Sequence, residues 1–322
     1  MISHPYRVAI IGAGTSGLAA AVKLLTSDSP RQISLTIYES RREAGGRTRS
    51  FIDPQSGDTL DNGQHLLMTC YTSTLNYLRV IGSEHLLQKQ ASLEVEFKLP
   101  LQQRSSKLKL PGTLPVPWHL LYGILTTDLL EKYEKLAAIR FGMQLMLFRH
   151  DSAVSSQSCA DLFRSTHQPE SLVRKLWEPI IVGTMNLPVS QASAQVFLQT
   201  MRLIFLQNKR YSRFCFPGVG LSKLLIDPAV DFLTARNCIF KYGERIQSVN
   251  SGNGLAYVES ETGREVFDAV IYAGSYRDTP PLPDQVTNSI PHVEYSPIAN
   301  AYLWTDKKIV GLPICGFIGT TI

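Results

Sequence analysis

The chain has 322 residues, of which 44% are hydrophobic and 18% charged, and 32 Lys and Arg against 27 Asp and Glu give a formal net charge of +5. This length allows two domains with a substantial core, and the composition excludes a disordered protein. The positive excess is spread along the chain without a basic block or a nucleic-acid-binding motif, so we expect no nucleic-acid partner.

The first predicted element is a buried parallel strand in the apolar, β-branched run Val8–Ile11. Three glycines follow it, Gly12, Gly14 and Gly17. Glycines at this spacing allow a sharp turn, a close approach of the backbone to a pyrophosphate, and tight packing of a helix on the strand. This pattern predicts a dinucleotide-binding βαβ unit.

The next two elements support the same interpretation. A helix is predicted to begin at Thr15 and Ser16, so that its unpaired N–H groups and positive dipole end face a diphosphate. Ile33–Tyr38 is the second predicted strand, and Glu39 stands at its end. A carboxylate at this distance is typical of the group that accepts hydrogen bonds from a ribose, and it would repel the 2′-phosphate of NADP.

A Gly-Gly-Arg element, Gly45, Gly46 and Arg47, comes shortly after Glu39. With these residues the sequence resembles the superfamily of FAD-dependent amine oxidases and carotenoid desaturases, in which Gly-Gly-Arg follows the acidic residue. The resemblance implies FAD as the cofactor, with Gly46 and Arg47 beside its diphosphate. The alternative is an ordinary Gly-Gly turn that carries a solvated arginine.

Four further segments resemble one family within that superfamily, the hydroxysqualene dehydroxylases, also described as squalene-associated FAD-dependent desaturases of hopanoid biosynthesis. These segments are Leu60–Leu67, Trp177–Pro188, Ala192–Ala194 and Pro217–Ser222. The resemblance covers nearly the whole chain.

The first of these segments contains Gly63, Gln64 and His65. The resemblance implies that these residues lie at the edge of the flavin ring system. His65 is therefore the candidate catalytic acid, and the alternative is a histidine that only forms structural hydrogen bonds.

A β-hairpin and then a long helical region are predicted for the middle of the chain. Apolar and charged residues alternate through Leu93–Leu99, and the alternation resumes in Ser106–Leu110, which favours two antiparallel strands. From about residue 115 to 207 apolar residues recur at helical spacing, and such a region would suit a pocket for a hydrocarbon substrate. The uncharged segment Pro115–Leu125 indicates either a peripheral membrane contact or ordinary core packing.

Beyond Gly220 the chain is predicted to return to the cofactor domain. Short strands are expected at Ile239–Lys241, Leu255–Glu259 and Glu265–Phe267, and a buried parallel strand at Asp268–Gly274. By the resemblance, a backbone group of Ile246 or Val249 would meet the adenine. The alternative there is an ordinary strand edge.

The predicted fold class is therefore α/β. A Rossmann-like FAD-binding domain, with a parallel sheet and a β-meander, would be formed by residues 1–90 and 216–322, and a mixed helical and antiparallel-sheet substrate domain by 91–215. The resemblance implies a closing C-terminal glycine-containing turn, which does not occur before Ile322. We therefore expect this sequence to be a fragment whose returning part is incomplete.

The cysteines indicate a reducing compartment. They are five isolated residues without CxxC spacing, so neither a metal site nor a disulfide framework is predicted. With no secretory leader and no apolar run long enough to span a bilayer, we expect a cytoplasmic protein, with the inner face of the membrane as its point of association.

The function implied is that of an FAD-dependent oxidoreductase acting on a long isoprenoid, most specifically the reductive dehydroxylation of hydroxysqualene to squalene. Two alternatives within the superfamily are a phytoene-type desaturase and a flavin amine oxidase. A third, of another class, is a non-catalytic dinucleotide-binding protein. The sequence does not identify the electron donor.

Overall fold

The computed structural model describes residues 4–63, 65–147, 154–291, 293–307 and 311–319. Its strands are β1 (Tyr6–Ile11), β2 (Ile33–Glu39), β3 (Ser50–Ile52), β4 (Thr59–Asp61), β5 (Leu67–Met68), β6 (Leu87–Lys89), β7 (Leu93–Leu99), β8 (Arg104–Leu110), β9 (Phe214–Pro217), β10 (Ile239–Tyr242), β11 (Ile246–Gly252), β12 (Leu255–Ser260), β13 (Gly263–Phe267), β14 (Ala269–Tyr272) and β15 (Cys315–Phe317). Its α-helices are α1 (Thr15–Leu25), α2 (Thr72–Val80), α3 (Trp118–Thr126), α4 (Lys132–Leu147), α5 (Cys159–Ser165), α6 (Glu170–Leu172), α7 (Glu178–Met185), α8 (Ala194–Phe205), α9 (Asp227–Thr234) and α10 (Asp284–Thr287). π-Helical turns occur at Val173–Trp177 and Ser222–Ile226.

The chain forms two compact units, each assembled from separate stretches of sequence. The first comprises Met1–His65, Ser73–Leu87 and Pro217–Tyr295, and the second Leu66–Thr72, Gln88–Phe216 and Ser296–Ile322. The predicted scheme of 1–90, 91–215 and 216–322 differs from this division chiefly at 66–72 and 296–319. Both segments group with the second unit because β5 pairs with β9 and β15 pairs with β7.

A four-stranded parallel sheet, in the order β10-β2-β1-β14, forms the centre of the first unit. Ile10 of β1 pairs with Ile37 on one side and with Ile271 on the other. Ala9 and Ile10 point to opposite faces of the sheet and both are fully buried, as expected for a parallel sheet covered on both sides. The predicted strands are confirmed, and their carboxyl ends lie along one edge.

Helix α1 begins at Thr15, as predicted, and packs on this sheet through Leu18, Ala21 and Val22. Gly17 is the point of closest approach. A Cβ added there would lie 1.9 Å from the carbonyl oxygen of Gly12, so only glycine allows the helix to sit this close to the strand.

An antiparallel meander, β11-β12-β13, completes the first unit. Val249, Val258 and Phe267 form its buried core together with Tyr38 of the parallel sheet. The rings of Tyr38 and Phe267 meet edge to face at 6.2 Å. The predicted combination of a parallel sheet and a β-meander is thus confirmed.

The second unit combines helices α3 to α8 with the sheet β15-β7-β8. Strands β7 and β8 are antiparallel, with Phe97 opposite Ser106, which confirms the predicted hairpin. The core of the helical part is a cluster of aromatic rings whose centroids lie 5.2 to 6.4 Å apart. Its members are Phe141, Phe163, Trp177 and Phe197.

One buried ion pair lies next to this cluster. The Nζ atom of Lys175 donates to both oxygens of fully buried Glu134, at 3.0 and 2.9 Å. Burial alone would raise the pKa of Glu134, but hydrogen bonds from Ser171, Glu131 and Lys175 outweigh it and lower that pKa. The carboxylate therefore stays ionised and ties α4 to the π-helical turn that carries Trp177.

Candidate functional site

A cavity of about 630 Å³ lies in the first unit at the carboxyl ends of β1, β2 and β14. This is the edge at which open α/β sheets bind their ligands. The lining residues are Ile11, Gly12, Gly14, Thr15, Ser16, Tyr38, Glu39, Ser40, Arg41, Gly45, Gly46, Arg47, Thr48, Glu244, Arg245, Ile246, Tyr272, Ala273, Gly274, Ser275, Arg277, Asp278, Pro280 and Tyr295. Most of the residues predicted to hold a cofactor are therefore brought together.

The amino end of α1 opens into this cavity. Gly14 is the N-cap residue, it provides no side-chain cap, and the first turn carries no acidic residue. Thr15 and Ser16 line the cavity, and the hydroxyl of Thr15 lies 2.9 Å from that of Thr48. The free N–H groups and the positive end of the helix dipole form an anion site of the kind that holds a diphosphate.

The glycines show that the cavity is shaped for a close ligand. A Cβ added to Gly14 would meet no atom nearer than the Gly45 carbonyl oxygen at 4.0 Å, so it would project into open space where a ligand can approach the backbone. A Cβ on Gly12, by contrast, would lie 3.0 Å from the Ala273 carbonyl oxygen. Gly12 and Gly17 are thus required for packing, whereas Gly14 leaves room for the ligand.

Glu39 is nearly buried at the end of β2, where its carboxylate lines the cavity. One oxygen accepts a hydrogen bond from the Ala13 backbone N–H and the other from that of Arg41, both at 2.9 Å. Two backbone donors fix the carboxylate in place, and each oxygen keeps lone-pair capacity for the hydroxyls of a ribose.

The Gly-Gly-Arg loop lies against the glycine turn of β1. The N–H of Gly45 donates to the carbonyl of Ala13 at 2.9 Å, and Gly45 forms a parallel bridge with Gly14. Gly46 and exposed Arg47 line the cavity. The lining carries four arginines against three carboxylates, which favours an anionic ligand. These residues are Arg41, Arg47, Arg245 and Arg277, with Glu39, Glu244 and Asp278.

Several lining residues were not proposed from the sequence. The guanidinium carbon of Arg277 lies 4.2 Å from the ring centroid of Tyr295, and the backbone N–H of Arg277 donates to the Ser275 hydroxyl at 3.2 Å. Ser275 and Arg277 directly follow the predicted strand β14. Because ligands of open α/β sheets bind at the carboxyl ends of the strands, this position could have identified both residues. Tyr295 has no comparable local signal.

The remaining predicted site residues are distributed differently. Ile246 lines the cavity, whereas Val249 packs in the meander core and is not among the lining residues. Gly63 is buried with φ +154°, and His65 is exposed. Neither is part of the lining of this cavity, and Gln64 lies outside the described residues.

Two of the segments that carry the narrower resemblance meet in the first unit. Asp61 accepts hydrogen bonds from the Ser50 hydroxyl at 2.6 Å and from the Leu221 N–H at 2.9 Å. The Ser222 hydroxyl accepts from the N–H of Ser50 at 2.9 Å. The segment before His65 is therefore anchored to the segment that begins at Pro217.

A second cavity, of about 240 Å³, lies within the second unit between α3, α4 and β8. Every residue of its lining is apolar: Leu108, Leu110, Pro117, Trp118, Leu120, Leu121, Ile124, Ala138, Ile139, Phe141, Gly142, Met143, Leu145, Met146, Leu176, Trp177, Ile180, Met201, Phe205 and Leu206. Such a surface suits a hydrocarbon and offers nothing to solvate an ion.

Comparison with known families agrees with this geometry. The profile of the family described as flavin containing amine oxidoreductase matches residues 15–317. The chain belongs to this family, and its cofactor is FAD, as the sequence predicts. The uncapped start of α1, the carboxylate of Glu39 and the open space over Gly14 all fit that dinucleotide.

The relatives include the hydroxysqualene dehydroxylases of Zymomonas mobilis, 29% identical over 97% of this chain, and of Rhodopseudomonas palustris, 28% identical over 98%. Each alignment covers 72% of the relative. A probable zeta-carotene desaturase of Synechococcus elongatus is 26% identical over 81% of this chain and 55% of its own. The predicted resemblance is confirmed.

Solved structures support the fold. Cyclohexylamine oxidase from Brevibacterium oxydans matches with a TM-score of 0.57 at 16% identity, over 89% of this chain and 61% of that one. Rab GDI from Plasmodium falciparum matches with a TM-score of 0.52 at 15% identity, over 85% and 66%. The chain thus spans about three fifths to two thirds of these structures. Across the described ranges, no helix combines the length and apolar character needed to cross a bilayer.

Proposed function

We propose that this protein is an FAD-dependent oxidoreductase that converts hydroxysqualene to squalene in hopanoid biosynthesis. The observation that carries the proposal is the wholly apolar cavity of the second unit, in a chain whose relatives include hydroxysqualene dehydroxylases. A long isoprenoid buries its hydrocarbon chain against such walls, and the hydrophobic effect supplies most of its binding energy.

The lining also argues against an amine substrate. Among the described residues of that cavity there is no carboxylate, hydroxyl or amide side chain to hold an ammonium group. A charged amine would lose its hydration there without compensation. The relatives also include a protein named as a probable zeta-carotene desaturase. Desaturation of a polyene is therefore the enzymatic alternative to be tested.

The reaction replaces a hydroxyl group by hydrogen. The C–O bond breaks, the oxygen departs as water after receiving a proton, and a hydride equivalent is delivered to the carbon. FAD, when bound and reduced, supplies this two-electron chemistry. In this proposal His65, which is exposed at the end of the Asp61 segment, holds the proton that is transferred to the departing oxygen.

The same proposal places the protein in the cytoplasm at the inner face of the membrane. Isoprenoids of this length partition into bilayers, and peripheral contact would shorten the path from bilayer to cavity.

The test is a single-turnover experiment. Full-length protein is reconstituted with FAD, reduced with dithionite without oxygen, and mixed with hydroxysqualene. We expect squalene, with one equivalent of flavin reoxidised. Flavin that remains reduced beside intact hydroxysqualene would contradict the proposal. Oxidised protein that converts phytoene or an alkyl amine instead would assign the desaturase or amine oxidase activity.

A second candidate is a protein that binds the dinucleotide without catalysis, and it is favoured by the position of His65, the candidate acid, outside the lining of the cofactor cavity. The catalytic and the non-catalytic candidate differ in how the bound cofactor behaves. The enzyme should be yellow, bleach with dithionite and recover its colour when hydroxysqualene is added without oxygen. A protein whose colour does not respond to any of the three substrates would support the non-catalytic role.

A further inference from the structure

Helices α3 and α4 expose an unusual number of large apolar side chains on the second unit. We call these residues the α3–α4 apolar face: Trp118, Tyr122, Leu125, Leu136, Met143, Met146 and Leu147. The last residue of the series, Leu147, is 80% exposed, and Leu136 is 69% exposed. Large apolar side chains that are exposed together on neighbouring helices indicate a site of interaction.

The face is the outer side of two helices that already bury another side. On α4 the residues Glu134, Ala138, Phe141 and Leu145 are buried and recur at helical spacing. Leu136 and Leu147 lie on the opposite side of the same helix and point away from that core. Core packing therefore accounts for one stripe of α4 and leaves its second apolar stripe without a function in the fold.

The two helices are fixed to one another. The Nζ atom of Lys135 on α4 donates to the carbonyl oxygen of Leu125 near the end of α3, at 2.9 Å. The apolar residues of α3 and α4 therefore form one surface within this unit.

This surface continues into the apolar cavity. Trp118, Met143 and Met146 line the cavity and are also half exposed or more. At these three residues the cavity lining reaches the surface, and the remaining residues of the α3–α4 apolar face lie on the same two helices. An apolar molecule leaving the cavity on this side would meet further apolar side chains.

Within helices α3 and α4 themselves, the exposed charges are all positive. Helix α3 contains no charged residue, and the acidic residue of α4, Glu134, is buried and neutralised by Lys175. Lys132 and Arg140 are exposed and lie at four-residue steps from Leu136, on its side of α4. Cations beside an apolar stripe match the phosphate headgroups and acyl chains of an anionic bilayer. A second copy of this chain would bring the same positive charges to the contact and would be repelled by them.

We propose that the α3–α4 apolar face docks onto the surface of an anionic phospholipid bilayer and opens the apolar cavity toward its acyl chains. The hydrophobic residues enter the interface, and Lys132 and Arg140 contact the phosphates. This refines the peripheral contact of the proposed function by naming its surface and lipid charge, but the docking itself requires no particular reaction.

The first experiment measures binding of full-length protein to phosphatidylcholine vesicles with and without phosphatidylglycerol, by flotation. We expect binding only where the anionic lipid is present, weakened by salt because exposed charges are screened. Lys132→Gln and Arg140→Gln should each weaken binding about fivefold, the contribution of one cation near an anionic surface. Binding to both vesicle types without preference, or to neither, would overturn the proposal.

The second experiment compares matched leucines. Leu136→Glu with Leu147→Glu should abolish flotation, whereas Leu303→Glu, at a leucine of the same unit that is 84% exposed, should leave it unchanged. Thermal unfolding checks that the variants are folded. If the double variant keeps lipid binding but turns a dimer into a monomer in sedimentation velocity, the face is an interface between copies and the proposal is wrong.

Turnover separates this inference from the proposed reaction. With hydroxysqualene in detergent micelles, the double variant should react like the unaltered protein, and with substrate in vesicles it should lose activity. Flotation by a protein that converts none of the substrates would retain the docking and remove the reaction. An inactive double variant in micelles would contradict the separation of docking from catalysis.

Discussion

At the scale of single residues, Glu39 meets two requirements with one carboxylate. It accepts backbone hydrogen bonds from Ala13 and Arg41, which fix the glycine turn and the following loop, and it presents the same oxygens to the cofactor cavity. Its effect on binding therefore has to be measured with a substitution that keeps the shape of the side chain.

Glu39→Gln is expected to weaken FAD binding by about tenfold to a hundredfold, because hydrogen bonds to an ionised group contribute about 1.5–3 kcal/mol. The amide oxygen keeps one backbone donor, so folding should persist. The dissociation constant is obtained from the quenching of flavin fluorescence on reconstitution. Glu43→Gln is the control, since Glu43 is exposed, pairs with Arg49 at 2.8 Å and lies outside the cavity lining. Equal FAD affinity of the Glu39 and Glu43 variants would contradict the assignment.

His119 is a second residue whose environment has a measurable consequence. It lies in the first turn of α3 and is fully buried, and neither ring nitrogen has a hydrogen-bond partner among the residues described. Burial lowers the pKa of His119, the Pro115 carbonyl opposes the shift without cancelling it, and Lys209 adds to it. The native state therefore holds a neutral imidazole where the unfolded chain would bind a proton.

The sign of the pH effect follows from this difference. Above about pH 6.5, the unfolded pKa, both states are neutral and His119 causes no loss of stability. Below it the unfolded state gains the proton, so the free energy of unfolding falls with pH, by at most about 1.4 kcal/mol at about pH 5.5. His119→Leu should show a smaller fall in urea unfolding between about pH 7.5 and 5.5. Exposed His85→Gln is the control, and identical pH profiles for all three proteins would refute the prediction.

The sequence was sufficient to place those candidate site residues whose positions are set locally. Gly12, Gly14 and Glu39 belong to one βαβ unit, so their order along the chain fixes their positions at one sheet edge. The choice between Ile246 and Val249 was not local. The N–H of Val249 donates to the Pro281 carbonyl and its side chain joins the meander core, contacts that no pattern around Val249 reveals.

At the scale of helices and strands, α4 shows how one element can serve the core, the cavity and the surface. The 3.6-residue period of α4 could be read from the sequence. The burial of Glu134 could not, because the residue that stabilises it, Lys175, lies in the π-helical turn Val173–Trp177, far along the chain. Gly142 is equally unexpected in a helix interior, where glycine costs about 1 kcal/mol relative to alanine. It lines the apolar cavity, and a Cβ there would meet no atom within 4 Å.

Gly142→Leu is expected to fill this space. The helix should be as stable or slightly more stable, because leucine has a higher helix propensity than glycine. We expect kcat/KM for hydroxysqualene to fall about tenfold or more, because the leucine side chain and the substrate would crowd the same space at a cost of about 1–3 kcal/mol. Gly183→Leu is the matched control: Gly183 is a helical glycine of α7 with equally open space that does not line the cavity. Unchanged kinetics in the Gly142 variant, with thermal stability retained, would show that the substrate does not occupy this cavity.

At the scale of the whole molecule, the division into two units was only partly visible in the sequence. The alternation of β7 and the apolar run of β14 identified strands, but the sequence did not identify β1 as the neighbour of β14. Nothing local to β15 indicates its partner, because three residues at Cys315–Phe317 carry no periodicity. The sequence scheme therefore assigned residues 216–322 to the cofactor domain as one block.

In the structure β15 pairs in parallel with β7, and the N–H of Ile318 donates to the Lys98 carbonyl at 3.0 Å. Because β7 is the central strand of β15-β7-β8, losing β15 would turn it into an edge strand with unpaired amides. Ile318→Pro removes the donor and should accelerate hydrogen exchange in β7 by about tenfold or more, leaving β1 and β2 unchanged. Ile298→Pro, in a segment without secondary structure, is the control. Faster exchange in β1 and β2 instead would mean that the stretch after Tyr295 stabilises the cofactor-binding unit, as the sequence scheme holds.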